Sequence, residues 1–221
     1  MSYLKNMMSY VLPVYEETFH SEISGKIELN RVNGILQLDA PHANYSYGSL
    51  QRILKMGLLR FDKKLISDSE NILILGLGGG CVIETLRKDF RNQGRITAVE
   101  IDPLMISISE TVFNLSEYKP LSLIQSDAYD YIATIKEQFD LVIIDLFIDD
   151  VVPDKFHSSE FISKLSSCFT NRGIGIFNTM NVSQKQLLIN NQLTTTLSHY
   201  FAVDIIKGIE KTNDLYLLKQ K

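Results

Sequence analysis

The chain has 221 residues, of which 45% are hydrophobic and 22% charged, with a formal net charge of −4 at pH 7. These values are typical of one globular domain with a small appendage, and the weak negative charge gives no reason to expect nucleic acid as a partner. No apolar run reaches the roughly 18 residues of a membrane span and no signal pattern opens the chain, so we expect a cytoplasmic protein without a membrane partner.

The cysteines and one basic cluster have ordinary interpretations. Cys81 and Cys168 lack the spacing of metal ligands, so we expect free thiols in a reducing compartment and no metal site. A solvated helix face explains the basic cluster better than nucleic-acid binding does. The cluster consists of Arg52, Lys55, Arg60, Lys63 and Lys64.

Residues 1–44 predict a small N-terminal β-hairpin unit. Strand-like runs at 22–29 and 35–39 flank Asn33-Gly34, a strong signal for a tight turn. Because a hairpin of this size is too short to fold alone, we expect it to pack on the main domain or on another subunit, and we expect a homodimer. Residues 45–221 are predicted to form the main domain, which begins with a helix over 45–59.

Strands and helices then alternate along the chain. We predict strands at 72–75, 96–101, 121–125, 139–145, 173–180, 203–206 and 215–218, and helices at 82–90, 102–113, 129–135, 160–169 and 183–200. Two of these helices begin with strong start signals, Asp102-Pro103 and Ser183 with Gln186. The alternation predicts an α/β fold with a doubly wound, mostly parallel seven-stranded sheet of the Rossmann-like type, in which the final hairpin adds one antiparallel strand.

The stretch 71–80 is the most informative motif. Four apolar residues run directly into Gly76, Gly78, Gly79 and Gly80, which predicts a buried strand followed by a loop where backbone can approach a ligand. The alternative is a tight strand–helix turn with no ligand, and four glycines in five positions argue against it.

A carboxylate at the end of the next strand completes a nucleoside pattern. Glu100 follows a second apolar run and is placed to bind the two hydroxyls of a ribose. The dinucleotide fingerprint Gly-x-Gly-x-x-Gly fails because its last position is Cys81, and no Gly-Lys-Ser/Thr follows the loop. These observations argue against NAD, FAD and an ATP phosphate loop, and they leave a nucleoside without phosphates, for which S-adenosyl compounds are the common case.

Two further strand ends carry carboxylates. We expect Asp127 to accept from the adenine amino group, Ala128 to donate its N–H to a ring nitrogen, and Ile101 to pack on the ring. Asp127 could equally cap the helix that follows. Asp145 ends a four-residue apolar run, which favours a catalytic role over a loop hydrogen bond. The loop 146–153 includes Phe147, which we expect on the substrate side. It is interpreted either as a lid that excludes water or as ordinary loop packing.

Four motifs in order resemble spermidine synthases and their relatives, which have the class I S-adenosylmethionine-dependent methyltransferase fold. The motifs are Gly-Leu-Gly-Gly-Gly (76–80), Val-Glu-Ile-Asp-Pro (99–103), Ser-Asp-Ala (126–128) and Phe-Asp-Leu-Val-Ile-Ile-Asp (139–145). The hairpin and Leu-Gln-Leu-Asp (36–39) are similar to a shortened form of the family's N-terminal β domain.

The resemblance implies that decarboxylated S-adenosylmethionine binds and that its aminopropyl group moves to a diamine. It also implies that Glu100 holds the ribose, that Asp127 holds the adenine and that Asp145 lies beside the attacking amine. Tyr45 and Tyr47 fall near the family's substrate-side tyrosine segment, and the family implies a dimer.

Two departures from the family pattern widen the prediction. Spermidine synthases carry an Asp in the glycine loop where this chain has Gly79, and residues 44–49 lack the acids of the family's Asp-Glu-x-x-Tyr-x-Glu stretch. A diamine dication needs such carboxylates to replace its hydration. We therefore expect a transferase that uses S-adenosylmethionine or its decarboxylated form and moves a methyl or aminopropyl group to a small amine acceptor. The alternatives are a non-catalytic nucleoside-binding relative and a dehydrogenase, against which Cys81 argues.

Overall fold

The structure is a computed structural model that describes residues 2–41, 44–149 and 151–221. The N-terminal segment forms a short helix and a four-stranded antiparallel sheet of order β1-β2-β3-β4. These elements are α1 (Ser2–Met8), β1 (Val14–Ser21), β2 (Gly25–Val32), β3 (Ile35–Asp39) and β4 (Asn44–Ser46).

The predicted hairpin exists within this sheet, with three corrections. The turn is confirmed, because Asn33 and Gly34 both have positive φ (51° and 80°) and β2 pairs with β3. Residues 22–24, predicted as strand, form the turn between β1 and β2. β1 was not predicted, because its sequence, Val-Tyr-Glu-Glu-Thr-Phe-His-Ser, contains three polar residues in a row instead of a clear apolar–polar alternation. The predicted helix over 45–59 begins only at Gly48, because Tyr45 and Ser46 belong to β4.

The second sheet has seven strands in the order β10-β11-β9-β8-β5-β6-β7. β11 is antiparallel to both of its neighbours, and the other strand pairs are parallel. The predicted fold class is therefore confirmed. The strands are β5 (Asn71–Leu75), β6 (Arg95–Glu100), β7 (Leu121–Gln125), β8 (Phe139–Ile144), β9 (Phe169–Met180), β10 (Phe201–Ile209) and β11 (Asn213–Gln220).

In the described part of the chain, seven helices connect these strands or precede them. Asp102 caps one of them by accepting from the Leu104 N–H at 2.9 Å, with Pro103 as its first residue, and Ser183 caps another by accepting from the Gln186 N–H at 3.2 Å. Both predicted helix starts are confirmed. The helices are α2 (Gly48–Leu58), α3 (Lys63–Ser67), α4 (Cys81–Lys88), α5 (Pro103–Thr111), α6 (Ala128–Thr134), α7 (Ser159–Ser167) and α8 (Gln184–Tyr200), with 3₁₀ turns at Leu115–Glu117 and Asp154–His157.

The central strands are buried on both faces, which explains their continuous apolar sequence. In β5, Ile72 and Ile74 belong to the core cluster that includes residues of α2 and α4, whereas Leu73 and Leu75 belong to the cluster that includes residues of α7 and α8. This packing fixes the strand and presents its carboxyl end, followed by the glycine turn, at the edge of the sheet.

A third cluster joins the N-terminal sheet to the main sheet's helices. Ile27 and Leu38 are fully buried together with Met105 and Ile108 of α5. The N-terminal sheet therefore packs on the helix that follows the Glu100 strand, which brings its β1–β2 turn to the predicted nucleoside side of the molecule.

The remaining compositional features are ordinary. Arg52 and Lys55 of the basic cluster pair at the surface with Glu210 and Asp89, at 2.8 and 2.9 Å. Both cysteines are free and buried, and burial raises the pKa of the Cys81 thiol to about 12. Among the described residues, no helix combines the length and apolar character needed to cross a membrane.

Candidate active site

A cavity of about 260 Å³ lies at the carboxyl ends of β5, β6 and β8. Several parts of the chain contribute to its walls. The strand ends supply the floor, the N-terminal sheet supplies Ser24 and Tyr45, and the junction between the last turn and β11 supplies Thr212 and Asn213. In an open α/β sheet, this edge is where ligands bind.

The first two glycines of the motif are required by close backbone approach. Gly76 has a φ of 88°, and a Cβ there would collide with the carbonyl oxygen of Asp145. Gly78 has a φ of 53°, and a Cβ there would collide with the carbonyl oxygen of Tyr45. Both line the cavity, so the predicted open backbone turn is present at its wall.

Gly79 and Gly80 lie behind this wall and are not among the residues that line the cavity. A Cβ at Gly79 would collide with the side chains of Ser46 and Phe113, and one at Gly80 with the side chain of Leu115. Packing thus accounts for both glycines, and their predicted contact with a ligand stays a prediction.

Glu100 lines the cavity and binds the glycine turn. Its Oε2 accepts from the Leu77 N–H at 2.9 Å, and its Oε1 accepts from the Asp102 N–H at 3.0 Å. Burial raises the pKa of this carboxyl, and the backbone N–H donors oppose that shift. Each carboxylate oxygen has a second lone pair, so Glu100 can still accept from two ribose hydroxyls.

Asp102 has a second role that the sequence analysis missed. Its Oδ1 caps α5, while its Oδ2 accepts from the hydroxyls of Ser21 and Ser24 at 2.5 and 2.6 Å. The side chain is buried, at 1% exposure. Asp102 therefore fastens the β1–β2 turn to the strand end that carries Glu100. The Asp-Pro pair signalled only the cap, because the serines lie 81 and 78 residues away in the sequence.

Asp127 is both a helix cap and a residue of the cavity wall. Its Oδ1 accepts from the Tyr129 N–H at 2.8 Å, and its Oδ2 forms an ion pair with Lys155. The alternative interpretation as a cap is therefore correct, and the predicted contact with adenine stays a prediction. Ala128 and the 40%-exposed Ile101 line the same wall.

Asp145 lies directly after β8 and faces the cavity. Its Oδ1 accepts from the Asn178 Nδ2 at 2.8 Å. Burial raises the pKa of the Asp145 carboxyl to about 6, the Asn178 donor opposes this, and the charge of Glu100 adds to it. A carboxyl with a pKa near neutrality, beside an open cavity, has the character of a general base.

The predicted substrate-side residues separate into two groups. Tyr45 and Phe147 line the cavity. The Tyr45 hydroxyl accepts from the Asp149 N–H at 2.6 Å, and burial raises the pKa of Tyr45. Tyr47 is buried away from the cavity wall and stacks on Phe113 with ring centroids 4.8 Å apart, so its predicted substrate contact stays a prediction.

The loop after Asp145 covers part of the cavity. Ile148 and Val151 form a small backbone bridge, with N–H to carbonyl distances of 2.9 and 3.2 Å. Leu146, Phe147 and Ile148 line the cavity with apolar side chains. This placement fits both packing against the core and a lid, and closure of the loop stays a prediction.

Lys155, Asn178, Thr212 and Asn213 also line the cavity and were not predicted. Asn178 lies inside an apolar strand, and the other three lie outside any motif, so only the folded arrangement reveals them. Within the described ranges, no group of three or more His, Cys, Asp or Glu side chains is arranged to hold a metal ion.

Comparison with known proteins matches residues 53–207 to the spermine/spermidine synthase domain. A polyamine aminopropyltransferase from Vibrio vulnificus is 30% identical over 118 residues, which cover 52% of this chain and 39% of that protein. The human eEF1A lysine and N-terminal methyltransferase is 26% identical over 170 residues, which cover 72% of this chain and 24% of that protein. The chain thus spans less than half the length of these relatives.

Solved structures show the same fold. A spermidine synthase in complex with the transition-state analogue AdoDATO superposes with a TM-score of 0.71 at 14% identity, covering 94% of this chain and 74% of that one. Human methyltransferase-like protein 13 in complex with SAH gives a TM-score of 0.66 at 23% identity, covering 79% and 83%. With the family model covering residues 53–207, the chain belongs to the spermine/spermidine synthase domain family.

Proposed function

We propose that this protein is a transferase that binds a sulfonium nucleoside and moves its alkyl group to an amine acceptor. The observation that carries the proposal is the meeting of Asp145, Glu100 and the open turn at Gly76 and Gly78 in one cavity. The named relatives support it, because they are aminopropyltransferases and methyltransferases, and the solved neighbours were crystallised with SAH and AdoDATO.

In the proposed reaction, the acceptor nitrogen attacks the carbon bonded to the sulfonium. The new N–C bond forms as the S–C bond breaks, and the sulfur takes the bonding electron pair. Because the sulfonium is a good leaving group, the protein's main task is to position the two partners. Asp145 accepts the proton that the amine must lose. With a pKa of about 6, this carboxyl is mostly ionised at neutral pH and ready to accept.

The charges in the cavity favour methyl transfer over aminopropyl transfer. Glu100 is engaged by two backbone N–H groups, and Asp127 by Lys155 and a backbone N–H. The place where the family's loop acid would extend, at Gly79, is filled by Ser46 and Phe113. The ammonium of decarboxylated S-adenosylmethionine, which has no carboxylate of its own beside it, or a second ammonium on the acceptor therefore lacks that acid. We propose S-adenosylmethionine as donor and a small acceptor with one basic nitrogen.

Aminopropyl transfer is the second candidate. The match to the spermine/spermidine synthase domain and the aminopropyltransferase relatives favour it. In that reaction, the decarboxylated donor leaves methylthioadenosine, whereas methyl transfer leaves S-adenosylhomocysteine. The product nucleoside therefore separates the two candidates whichever amine serves as the acceptor.

The test incubates the protein with each donor and a panel of mono- and diamines, and identifies the nucleoside product by mass spectrometry. We expect amine-dependent S-adenosylhomocysteine from S-adenosylmethionine. Formation of methylthioadenosine with diamines would mean that the reaction is aminopropyl transfer and not methyl transfer. Binding of either donor without turnover of any acceptor would favour the non-catalytic relative, and the absence of nucleoside binding would contradict both transferase proposals.

A further inference from the structure

We propose that Asn178 is a positioning residue for Asp145, and that Thr212 and Asn213, at the junction between the last turn and β11, fix its orientation. The proposal rests on the proposed function only in giving Asp145 the task of accepting the proton. It assigns a role in the reaction to the C-terminal hairpin, which carries none of the motifs that identified the nucleoside side.

Three hydrogen bonds connect these residues in one line. The Thr212 hydroxyl donates to Asn213 Oδ1 at 2.8 Å. Asn213 Nδ2 donates to Asn178 Oδ1 at 3.0 Å, and Asn178 Nδ2 donates to Asp145 Oδ1 at 2.8 Å. Asn178 and Asn213 are 0% and 5% exposed, so water does not replace these partners. Loss of any partner would leave a buried polar group unpaired.

The line has a direction, because an amide accepts at its oxygen and donates at its nitrogen. The Thr212 hydroxyl holds the oxygen of Asn213, which turns its NH₂ group toward Asn178. Asn213 in turn holds the oxygen of Asn178, which turns its NH₂ group toward Asp145. An ionised carboxylate can only accept, so a reversed Asn178 would place two acceptors against each other.

The strand pairing explains how distant residues meet. In the antiparallel pair of β9 and β11, Leu215 lies opposite Asn178 and Asn213 lies opposite Met180. Residues 178 and 213 are therefore diagonal neighbours on one face of the sheet. Further along this face, Ile174, Ile176, Leu215 and Leu217 are apolar and belong to one core cluster. Asn178 and Asn213 are thus polar residues at the end of this apolar face that borders the cavity.

The arrangement has a consequence for the base. Asn178 occupies Oδ1 of Asp145, and the described residues offer no hydrogen-bond donor to Oδ2. One oxygen is thus held in place while the other remains available to an acceptor amine at the cavity wall. The Asn178 donor also stabilises the ionised carboxylate, against the effect of burial.

The test measures the titration of Asp145 by ¹³C NMR of labelled aspartate, with Asp145→Asn used to assign its signal. In Asn178→Leu, we expect the pKa of Asp145 to rise by about one unit, because the ionised form loses its donor. Thr212→Val should shift it in the same direction by less, and Thr212→Ser should restore the wild-type value. Asn190→Leu is the control, because Asn190 is also a buried amide, and it donates instead to the Met180 carbonyl.

A second readout separates positioning from mere stabilisation. The acid limb of the pH–rate profile for nucleoside product should move with the pKa of Asp145, while the affinity for S-adenosylmethionine should stay unchanged. An unchanged Asp145 titration in folded Asn178→Leu would overturn the proposal. If that variant does not fold, equal titrations in Thr212→Val and Thr212→Ser would overturn it. The NMR comparison holds even if no nucleoside binds, so failure of the proposed function remains distinguishable.

Discussion

Asp145 combines two properties that a buried carboxylate rarely has together. Burial next to Glu100 raises its pKa to about 6, whereas its hydrogen-bond partner is a neutral amide rather than a cation. Asp127 contrasts with it, because Lys155 and a backbone N–H engage its carboxylate. Of these two strand-end acids, Asp145 is the one suited to accept a proton.

The titration of Asp145 predicts a pH-dependent stability difference. The pKa of its carboxyl is higher in the folded chain than the ordinary value of 3.8, so the folded chain binds this proton more tightly than the unfolded chain does. The carboxyl's contribution to stability is therefore fully present below pH 4 and is lost as the pH rises through about 6. Asp145→Asn has no charged form, and its oxygen can still accept from Asn178. At pH 8 we expect the variant to be more stable by about 1–3 kcal/mol. Urea unfolding that gives the same difference at pH 3.5 and pH 8 would contradict the assignment.

The same substitution should separate catalysis from binding. If Asp145 accepts the acceptor's proton, Asp145→Asn should lower turnover by about 10²-fold or more and leave the affinity for the nucleoside nearly unchanged. Product formation under saturating donor, compared with calorimetric titration of S-adenosylhomocysteine, measures the two effects. Wild-type turnover in the variant would remove Asp145 from the reaction.

Substitution of Glu100 should weaken nucleoside binding, in contrast to substitution of Asp145. Glu100→Ala removes the predicted acceptor of the ribose hydroxyls, and we expect the affinity for S-adenosyl nucleosides to weaken by about 1–3 kcal/mol. Because Glu100 also accepts from Leu77 and Asp102, Glu100→Gln serves as the partner variant that keeps one oxygen for these contacts. Unchanged affinity in a folded Glu100→Ala protein would place the ribose elsewhere.

At this scale, the sequence allowed prediction of the residues at strand ends and not of their distant partners. Asp145 follows an apolar run, and Gly76 and Gly78 follow another, so their shared edge could be predicted from the alternation of strands and helices. The contact of Asp102 with Ser21 and Ser24 could not, because it depends on how the N-terminal sheet packs. Asn178 carries no signal of its own within its apolar strand.

Among the elements, the loop 146–153 begins directly after Asp145, the proposed base, and covers part of the cavity. The Tyr45 hydroxyl holds this loop at the Asp149 N–H, and Tyr45 itself belongs to the N-terminal sheet. The loop follows a strand of the seven-stranded sheet, and this bond therefore couples it to the four-stranded N-terminal sheet. This hydrogen bond gives the loop an anchor of the kind that a lid requires.

Tyr45→Phe tests this anchor. The substitution keeps the ring and removes only the acceptor for the Asp149 N–H, so we expect faster amide hydrogen exchange across residues 146–153. Peptides from α7 in the same experiment provide the reference for global opening. Unchanged exchange in the loop would show that this hydrogen bond does not hold it.

Element prediction succeeded where the pattern was long and failed where it was short. The bounds of β7 agree with prediction, and β5 differs by one residue, because continuous apolar runs mark them. β4 has three residues, too few for a period to emerge, and the helical periodicity beyond Leu50 was extended back over it. At β9, the strand begins at Phe169, which was predicted as the end of a helix.

For the whole molecule, the N-terminal sheet is part of the cavity and not an appendage to it. Its core cluster includes Met105 and Ile108 of α5, its β1–β2 turn is bound by Asp102, and its last strand supplies Tyr45. The prediction that this unit needs a packing partner is thus met within the chain. The predicted homodimer stays a prediction.

We expect the cavity beside Gly76 and Gly78 to hold the adenosine of a sulfonium nucleoside, with Glu100 bound to its ribose. The most direct measurement is a crystal structure of the protein soaked with S-adenosylhomocysteine. We predict both ribose hydroxyls within hydrogen-bonding distance of the Glu100 carboxylate and the adenine beside Asp127 and Ile101. A nucleoside bound elsewhere, or a fully occupied soak in which Glu100 contacts only Leu77 and Asp102, would contradict it.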